Sequence, residues 1–258
     1  MTFAQWHYPF ENRERVAAEF PAEYIAEGVD QTRGWFYSLL AIATGLGENT
    51  APAGEMPNGL PNNARGTASP YRAVVVHDLV RDAKGQKMSK TKGNVVDPLS
   101  VIDEIGADAL RFALVAGTSA GADQRLSPEK LENARNFMNK LWNAARYVLG
   151  ARPPEASGER PDAASVRSAA GEFGAWFASR IDAAVEDVDR NLAGFGFSEA
   201  AQRIYDAIWA EYCDQAIELA KVTLGDARRP AAERVATWWA LVDALDARLR
   251  LLHPIAPF

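Results

Sequence analysis

The spacing of apolar side chains divides the chain into an α/β part followed by an all-helical part. Residues 24–26 form a short apolar run that Gly28 ends, which predicts a short buried strand. In residues 32–46 the apolar positions recur every three or four residues, as they do in a helix. The β-branched run in residues 72–80 is typical of a fully buried parallel strand. Two parallel strands with a helix between them predict one right-handed βαβ unit.

Helix-start signals recur in the rest of the chain. Asp97 and Ser127 each precede a proline, and a capping side chain before a proline predicts helices that begin at Pro98 and Pro128. The second of these helices is expected to run through Tyr147. We expect the apolar faces of these and the later helices to be buried at Leu99, Ile102, Ile105, Leu131, Phe137, Met138, Leu141, Trp142, Phe195, Phe197, Ile204, Tyr205, Ile208, Trp209, Tyr212, Leu241, Leu245, Leu249 and Leu252.

Stretches rich in glycine, proline and other small residues mark the boundaries between segments. Residues 47–70 show no periodicity and predict a long surface loop or insertion, and residues 150–170 have the composition of a linker. The expected organisation is an α/β domain at 1–120, a helical junction at 121–150, a linker at 151–170 and a helical bundle at 171–258, with helices at 171–193, 197–222 and 230–252.

The most distinctive chemistry lies in the run GQKMSKTKGNVVDPL. Lys87, Lys90 and Lys92 fall within six residues, with Gly85 before them and Gly93 after them. Glycines allow a mobile loop, and ammonium groups on such a loop stabilise the charge of a polyphosphate in a transition state. Three lysines alone are more often a solvated basic loop, so the neighbouring sequence has to decide between the two interpretations.

Polar residues follow the first predicted strand. Glu27, Asp30 and Gln31 come at its carboxyl end, just before a helix, which is where open α/β sheets bind ligands. Carboxylate oxygens there suit the vicinal hydroxyls of a ribose, which donate hydrogen bonds. On spacing alone, a strand, turn and helix without a ligand would explain these residues equally well.

Three stretches resemble class I aminoacyl-tRNA synthetases. KMSKT at 87–91 resembles the KMSKS signature of that class, with Thr91 keeping the hydroxyl group of the final serine. GVDQTRGWF at 28–36 resembles the isoleucyl form of the family, and GFSEAAQRIYDAIWAEYCDQAIELAK at 196–221 resembles the anticodon-binding domain of valyl enzymes. The resemblance implies an α/β then all-α chain: the C-terminal half of a Rossmann-like nucleotide-binding domain followed by a helical anticodon-binding bundle. It also implies that the domain at 1–120 is partial and that the bundle at 171–258 is truncated.

The same resemblance implies an activity and a set of roles. The activity is ATP-dependent activation of a branched aliphatic amino acid and its transfer to cognate tRNA, with Mg²⁺ arriving together with ATP and no metal site in the protein itself. The implied roles are pyrophosphate stabilisation by Lys87 and Lys90, loop support by Ser89, ATP or adenylate binding by Glu27, Gly28, Asp30, Gln31, His77 and Met88, and an amino-acid pocket lined by Trp35.

Two alternatives about specificity remain open. Residues 1–45 resemble isoleucyl enzymes, whereas the chain from about residue 85 onward resembles valyl enzymes. The two amino acids differ by one methylene group, which is worth only about 1–3 kcal/mol of discrimination. Because the longer stretch is valyl, we expect a valine–tRNA ligase fragment, with an isoleucine–tRNA ligase fragment as the alternative.

A missing signature limits the expected activity. The HxGH motif, whose histidines contact the phosphates in class I enzymes, does not occur among the 258 residues. The chain is therefore expected to be inactive alone and to have a missing N-terminal catalytic half as a further partner. A non-catalytic tRNA-binding module, or an inactive gene fragment, is the alternative from another class.

Charge and composition limit the kinds of protein that the chain can be. A net charge of −6 is not typical of a dedicated nucleic-acid binder, so RNA contact would depend on local patches such as residues 81–92. One cysteine and three separated histidines argue against a structural zinc site. No apolar stretch reaches membrane-spanning length and no leader opens the chain, so a soluble cytoplasmic protein is expected.

Overall fold

The computed structural model describes residues 4–8, 10–50, 69–77, 79–117, 123–156 and 160–258. Most of the loop expected at 47–70 and part of the linker expected at 150–170 lie outside these residues. The chain divides into two compact units, Met1–Leu79 and Val80–Phe258.

The first unit is a small α/β arrangement. Its elements are α1 (Arg13–Glu19), β1 (Ala22–Gly28), a 3₁₀ turn (Val29–Arg33), α2 (Trp35–Thr50) and β2 (Tyr71–His77). Strands β1 and β2 pair in parallel, with Ile25 opposite Val74 and Gly28 opposite His77. Ile25 forms a small core with Phe36 and Leu39 of α2. The predicted pair of parallel strands with a helix between them is confirmed.

The expected burial of these strands was wrong. Ile25 is buried, but Tyr24 in β1 is 51% exposed, and Val74 and Val76 in β2 are 39% and 44% exposed. Within the described residues this sheet has only two strands, so each strand has a neighbour on one side only. A β-branched run is buried on both faces only when further strands and helices cover it.

The second unit is mainly helical. It contains β3 (Val80–Arg81), α3 (Pro98–Ile105), α4 (Ala107–Val115), β4 (Gln124–Arg125), α5 (Pro128–Gly150), α6 (Ala163–Ala169), α7 (Gly171–Ala193), α8 (Phe197–Asp206), a π-helical segment (Ala207–Ala216), α9 (Ile217–Leu224) and α10 (Ala231–Leu252). The short strands β3 and β4 pair in parallel.

Both predicted helix starts are confirmed. The Asp97 carboxylate accepts a hydrogen bond from the Leu99 amide at 3.2 Å, and the Ser127 hydroxyl accepts one from the Lys130 amide at 3.2 Å. Hydrogen bonds from the Ser100 hydroxyl and from the Leu99 amide lower the pKa of Asp97. Helix α5 ends at Gly150, three residues beyond the expected end.

The core of the second unit follows helical spacing. Ala134, Phe137, Leu141, Ala144 and Val148 of α5 are buried at intervals of three and four residues. The Phe137 ring lies 4.8 Å from that of Phe112 and 4.9 Å from that of Tyr205, measured between ring centroids. Aromatic pairs at such distances stabilise a core beyond the area that they bury.

Five expected core residues are exposed instead. Leu99 is 69% exposed and Trp142 is 68% exposed, while Leu249, Phe195 and Phe197 are between 36% and 44% exposed. Helical periodicity identifies an apolar stripe, but neighbouring helices cover only part of a wide stripe. Residues at its edge, such as Trp142, therefore remain in solvent.

An unexpected ionic cluster lies inside the helical unit. The carboxylate of Glu211, in the π-helical segment, is paired with Arg180 and with Arg203, whose Nη1 lies 3.1 Å from Oε1. The buried guanidinium of Arg248 lies 3.9 Å from the other carboxylate oxygen, and its Nε donates to the Ala207 carbonyl at 2.7 Å. Burial lowers the pKa of Arg248 to about 10.

Candidate functional site

Residues whose side chains could bind a ligand lie at two places, one in each unit. In the first unit, Gly28 at the end of β1 lies opposite His77 at the end of β2. A Cβ atom added at Gly28 would lie 2.7 Å from Asp30 Oδ1 and 3.6 Å from His77 Cε1. The absence of a side chain at Gly28 therefore leaves room for the Asp30 carboxylate at the carboxyl end of the strand pair, with His77 at ordinary contact distance from the same point.

Gln31 fixes the orientation of Asp30. Its side-chain Nε2 donates to Asp30 Oδ2 at 3.0 Å, and its Oε1 accepts from the Trp35 amide at 3.2 Å. A Cβ atom at Gly34 would lie 2.8 Å from Gln31 Oε1, so the glycine leaves room for this bridge. Asp30 is exposed, and its carboxylate therefore has acceptor capacity left for a ligand.

Glu27 lies apart from this group, whereas the backbone amide of Trp35 belongs to it. Successive side chains of a strand point to opposite faces, so Glu27 points away from the side that Gly28 shares with Asp30. Trp35 is half-buried beside the small core, with its ring centroid 6.0 Å from that of Phe36. The structure thus brings Gly28, Asp30 and Gln31 together with His77, and leaves Glu27 on the other face.

The second place is the loop 82–94 of the helical unit, which we call the lysine loop. Lys87 and Lys92 are exposed, and the side chain of Lys90 lies outside the described residues. Met88 is half-buried against the helical core, and the Ser89 hydroxyl accepts from the Lys92 amide at 3.3 Å. Two expected cationic side chains therefore reach solvent, while Met88 attaches the loop to the core.

Two residues that sequence reasoning missed close the base of this loop. Asn94 Nδ2 donates to Asp82 Oδ2 at 2.8 Å. Hydrogen bonds from Asn94 and from the Gln86 amide lower the pKa of Asp82. The spacing of Asp82 and Gly85 in RDAKG was an available signal, because aspartate commonly accepts hydrogen bonds from a turn that a glycine completes.

Backbone conformation explains both glycines that flank the lysines. Gly85 has φ +75°, and a Cβ atom there would lie 3.3 Å from Arg125 Nε. Gly93 has φ +66°, but no atom lies within 4 Å of the position of its Cβ. A non-glycine residue would be strained at either position, and at Gly85 it would also crowd Arg125.

The described residues offer hydrogen-bonding and cationic groups rather than a cluster of metal ligands. They include no group of three or more His, Cys, Asp or Glu side chains that could hold a metal. Exposed ammonium groups suit phosphates, and the Asp30 carboxylate suits sugar hydroxyls.

No helix in the described part of the chain is both long enough and apolar enough to span a bilayer.

Two family models match the chain. The model for class I tRNA synthetases of the isoleucyl, leucyl, methionyl and valyl group covers residues 1–127. The model for the anticodon-binding domain of tRNA ligases covers residues 174–258.

Curated relatives are similar over most of the chain. A valine–tRNA ligase of Dehalococcoides mccartyi strain CBDB1 is 49% identical over 189 residues, which is 73% of this chain and 20% of the relative. A valine–tRNA ligase of Symbiobacterium thermophilum is 46% identical over 189 residues, again 73% of this chain and 20% of the relative. The chain thus spans about one fifth of the length of the curated relatives it matches.

Solved structures share the fold. A leucyl-tRNA synthetase of Agrobacterium radiobacter K84, solved with tRNA and LeuAMS, is 18% identical with a TM-score of 0.68, covering 99% of this chain and 29% of its own. A Mycobacterium tuberculosis methionyl-tRNA synthetase in complex with methionyl-adenylate is 21% identical with a TM-score of 0.64, covering 98% of this chain and 45% of its own. The predicted α/β then all-α fold is confirmed, and the chain belongs to the class I aminoacyl-tRNA synthetases.

Proposed function

We propose that the chain is a part of a valine–tRNA ligase that contributes the lysine loop, one end of the nucleotide site and a tRNA-binding helical region. The observation that carries the proposal is the 41–49% identity to valine–tRNA ligases over about three quarters of the chain. The exposed lysines of the loop and the Asp30–Gln31 bridge support it, because they offer the groups that ATP requires.

In this proposal the lysine loop acts on the leaving group. Activation joins the amino-acid carboxylate to the α-phosphate of ATP and releases pyrophosphate, so negative charge increases on the leaving oxygens. The ammonium groups of Lys87 and Lys90 stabilise that charge, while Ser89 and Met88 support the loop that carries them. Mg²⁺ enters with ATP and neutralises part of the phosphate charge.

The strand end holds the nucleoside in this proposal. The Asp30 carboxylate, oriented by Gln31, accepts hydrogen bonds from the ribose hydroxyls, and Gly28 leaves room for that carboxylate at the strand end. His77 contributes a weaker contact on the same side. Trp35 provides apolar surface for the amino-acid side chain. Glu27 points to the other face of β1, so we assign it a lesser part in binding.

Helix α5 is the proposed route to tRNA. It carries the charged residues Lys130, Arg135, Lys140 and Arg146. The ammonium group of Lys140 lies 2.6 Å from an Asp214 carboxylate oxygen and 4.0 Å from the centre of the Trp209 ring, so it is already engaged. Arg146 is exposed, which favours it as the phosphate contact on this helix.

The test uses a restored enzyme, in which this chain replaces the matched segment of the D. mccartyi valine–tRNA ligase. Amino-acid-dependent ATP–pyrophosphate exchange is measured with Lys87→Ala and Lys90→Ala, and with Lys84→Ala as the matched control. Loss of one preorganised donor typically costs about 100- to 1000-fold in rate, which is expected for the first two variants only. Unchanged exchange in both would contradict the assigned roles.

Two further assays test which amino acid is activated and whether the isolated chain is active without the rest of the enzyme. Exchange with valine above exchange with isoleucine supports the valyl assignment, and the reverse supports the isoleucyl alternative that the resemblance of residues 1–45 suggests. The isolated chain is then assayed for tRNA charging against its Lys87→Ala/Lys90→Ala double variant. Equal rates are expected, because the HxGH histidines are not among its residues. tRNA binding without charging is expected for the isolated chain, whereas a restored enzyme that also lacks exchange would favour a non-catalytic module.

A further inference from the structure

The lysine loop is closed by a pair of side chains twelve positions apart. Asp82 begins the loop and Asn94 ends it, and the Asn94 amide donates to the Asp82 carboxylate at 2.8 Å. A hydrogen bond to an ionised acceptor is shorter and stronger than one between neutral groups. We call this pair the Asp82–Asn94 clasp.

Each member of the clasp also holds the backbone of the loop. Asp82 Oδ1 accepts from the amides of Lys84 at 3.0 Å and Gln86 at 2.8 Å. Asn94 Oδ1 accepts from the Ser89 amide at 2.9 Å, and Asn94 Nδ2 makes a longer contact of 3.4 Å with the Lys87 carbonyl. The side chain of Asn94 therefore reaches the backbone on both sides of Met88.

These contacts hold the backbone that carries Lys87. Residues 81 and 87 form an antiparallel bridge, and Met88 packs against the helical core. With Lys87 and Ser89 both held by Asn94, the Lys87 side chain extends into solvent from a backbone that is already ordered. A loop without the clasp would have to be ordered when substrate binds, and that ordering opposes binding in the transition state.

We infer that Asp82 and Asn94 are positioning residues that hold Lys87 for its part in the reaction. The inference rests on the proposed function for its catalytic meaning, but the clasp itself is testable in this chain alone. Neither residue touches the substrate in this account. They act through the backbone of residues 84–89.

The structure suggests a charge-swap experiment. Asn94→Asp places two carboxylates face to face, and Asp82→Asn removes the ionised acceptor. The double variant Asp82→Asn/Asn94→Asp can rebuild the pair in reverse. The new amide oxygen at position 82 can still accept from Lys84 and Gln86, while the amide nitrogen donates to the new carboxylate at position 94. The Ser89 amide keeps an acceptor. Asn143→Asp, on the exposed face of α5, is the control for the change of charge.

Limited trypsin digestion of the purified chain tests directly whether the Asp82–Asn94 clasp orders the lysine loop. Cleavage after Lys87 and Lys90 is followed by mass spectrometry, after the melting temperature of each variant has been measured. We expect about 10-fold faster cleavage in each single variant, from the loss of one charge-assisted hydrogen bond. In the double variant we expect slower cleavage than in either single variant, because the pair is rebuilt but the contact with the Lys87 carbonyl is not. If a single variant fails to fold, the double variant and the other single variant decide. Cleavage that is equal in all forms overturns the clasp.

Exchange assays of the restored enzyme test whether Asp82 and Asn94 position Lys87. Each single variant is expected to lower kcat of ATP–pyrophosphate exchange about 10-fold, with the KM for valine unchanged and with recovery in the double variant. Faster cleavage with exchange equal to that of Asn143→Asp would mean that the clasp exists but does not position Lys87. Unchanged exchange in Lys87→Ala would instead contradict the proposed function and leave the trypsin result standing.

Discussion

The two units of this chain bury their apolar residues to different degrees. In Val80–Phe258 one continuous core extends through α4, α5, α7, α8, the π-helical segment and α10. In Met1–Leu79 the small core consists of Ile25, Phe36 and Leu39, and Val74 and Val76 of the strand pair remain exposed.

The difference follows from how helices and strands satisfy their backbones. A helix makes its own backbone hydrogen bonds and needs a partner only along one apolar stripe. A strand needs neighbours for its hydrogen bonds and layers on its faces for burial. The helical unit meets its requirement within the described residues, whereas the two-stranded sheet does not.

The largest expected effect concerns the ionic cluster of the helical unit. Glu211→Ala leaves the buried Arg248 guanidinium without its carboxylate, which should lower the free energy of unfolding by about 3–5 kcal/mol. Glu218→Ala, which removes an exposed carboxylate paired with Lys221, should change it by less than about 1 kcal/mol. Urea unfolding followed by circular dichroism measures both. Equal effects would mean that the cluster is hydrated in solution.

The second prediction compares two leucines of one helix. Leu241 is completely buried and Leu249 is 44% exposed, and both lie in α10. Leu241→Ala should lower the free energy of unfolding by about 2–5 kcal/mol, because it leaves a cavity. Leu249→Ala should cost clearly less in the same urea titration. A larger loss for Leu249 would contradict the packing described for α10.

The third prediction concerns the cysteine of the helical core. Burial raises the pKa of the Cys213 thiol from 9.0 to about 11, against the opposing effect of Lys140. At pH 8 its thiolate fraction, and so its reaction with Ellman's reagent, should be about 100-fold below that of an unshifted thiol. The pKa of Cys213 is higher in the folded chain than in the unfolded chain. The contribution of this thiol to stability is therefore complete below pH 9 and is lost as the pH rises towards 11. Fast labelling of the folded chain at pH 8 would contradict this burial.

The smallest expected effect sharpens the description of the first unit. Val76 is 44% exposed, so Val76→Thr should change the free energy of local unfolding by less than about 0.5 kcal/mol. The matched variant Ile25→Thr, in the small core, should lower amide-exchange protection across β1 and β2 much more. Hydrogen exchange read by mass spectrometry measures both variants. A large loss for Val76→Thr would show that this face is covered in solution.

The candidate site was predictable only in part. The lysine loop and the strand-end residues Asp30 and Gln31 stand out because glycine, lysine and acidic residues occur there in short spacings. The nearness of His77 to Gly28 follows from the parallel register, which places the two strand ends side by side. The pairing of Asp82 with Asn94 was not predicted, because it depends on how the intervening loop folds back.

The sequence by itself determined the features that depend on a few neighbouring residues. The caps at Asp97 and Ser127, the positions of the two strand segments and the composition of the lysine loop are of this kind, since local hydrogen bonds and periodicity decide them. Only the tertiary structure decided that Trp142 is exposed and that Arg248 is buried beside Glu211. Burial is set by which distant elements pack over a side chain, and no local pattern contains that information.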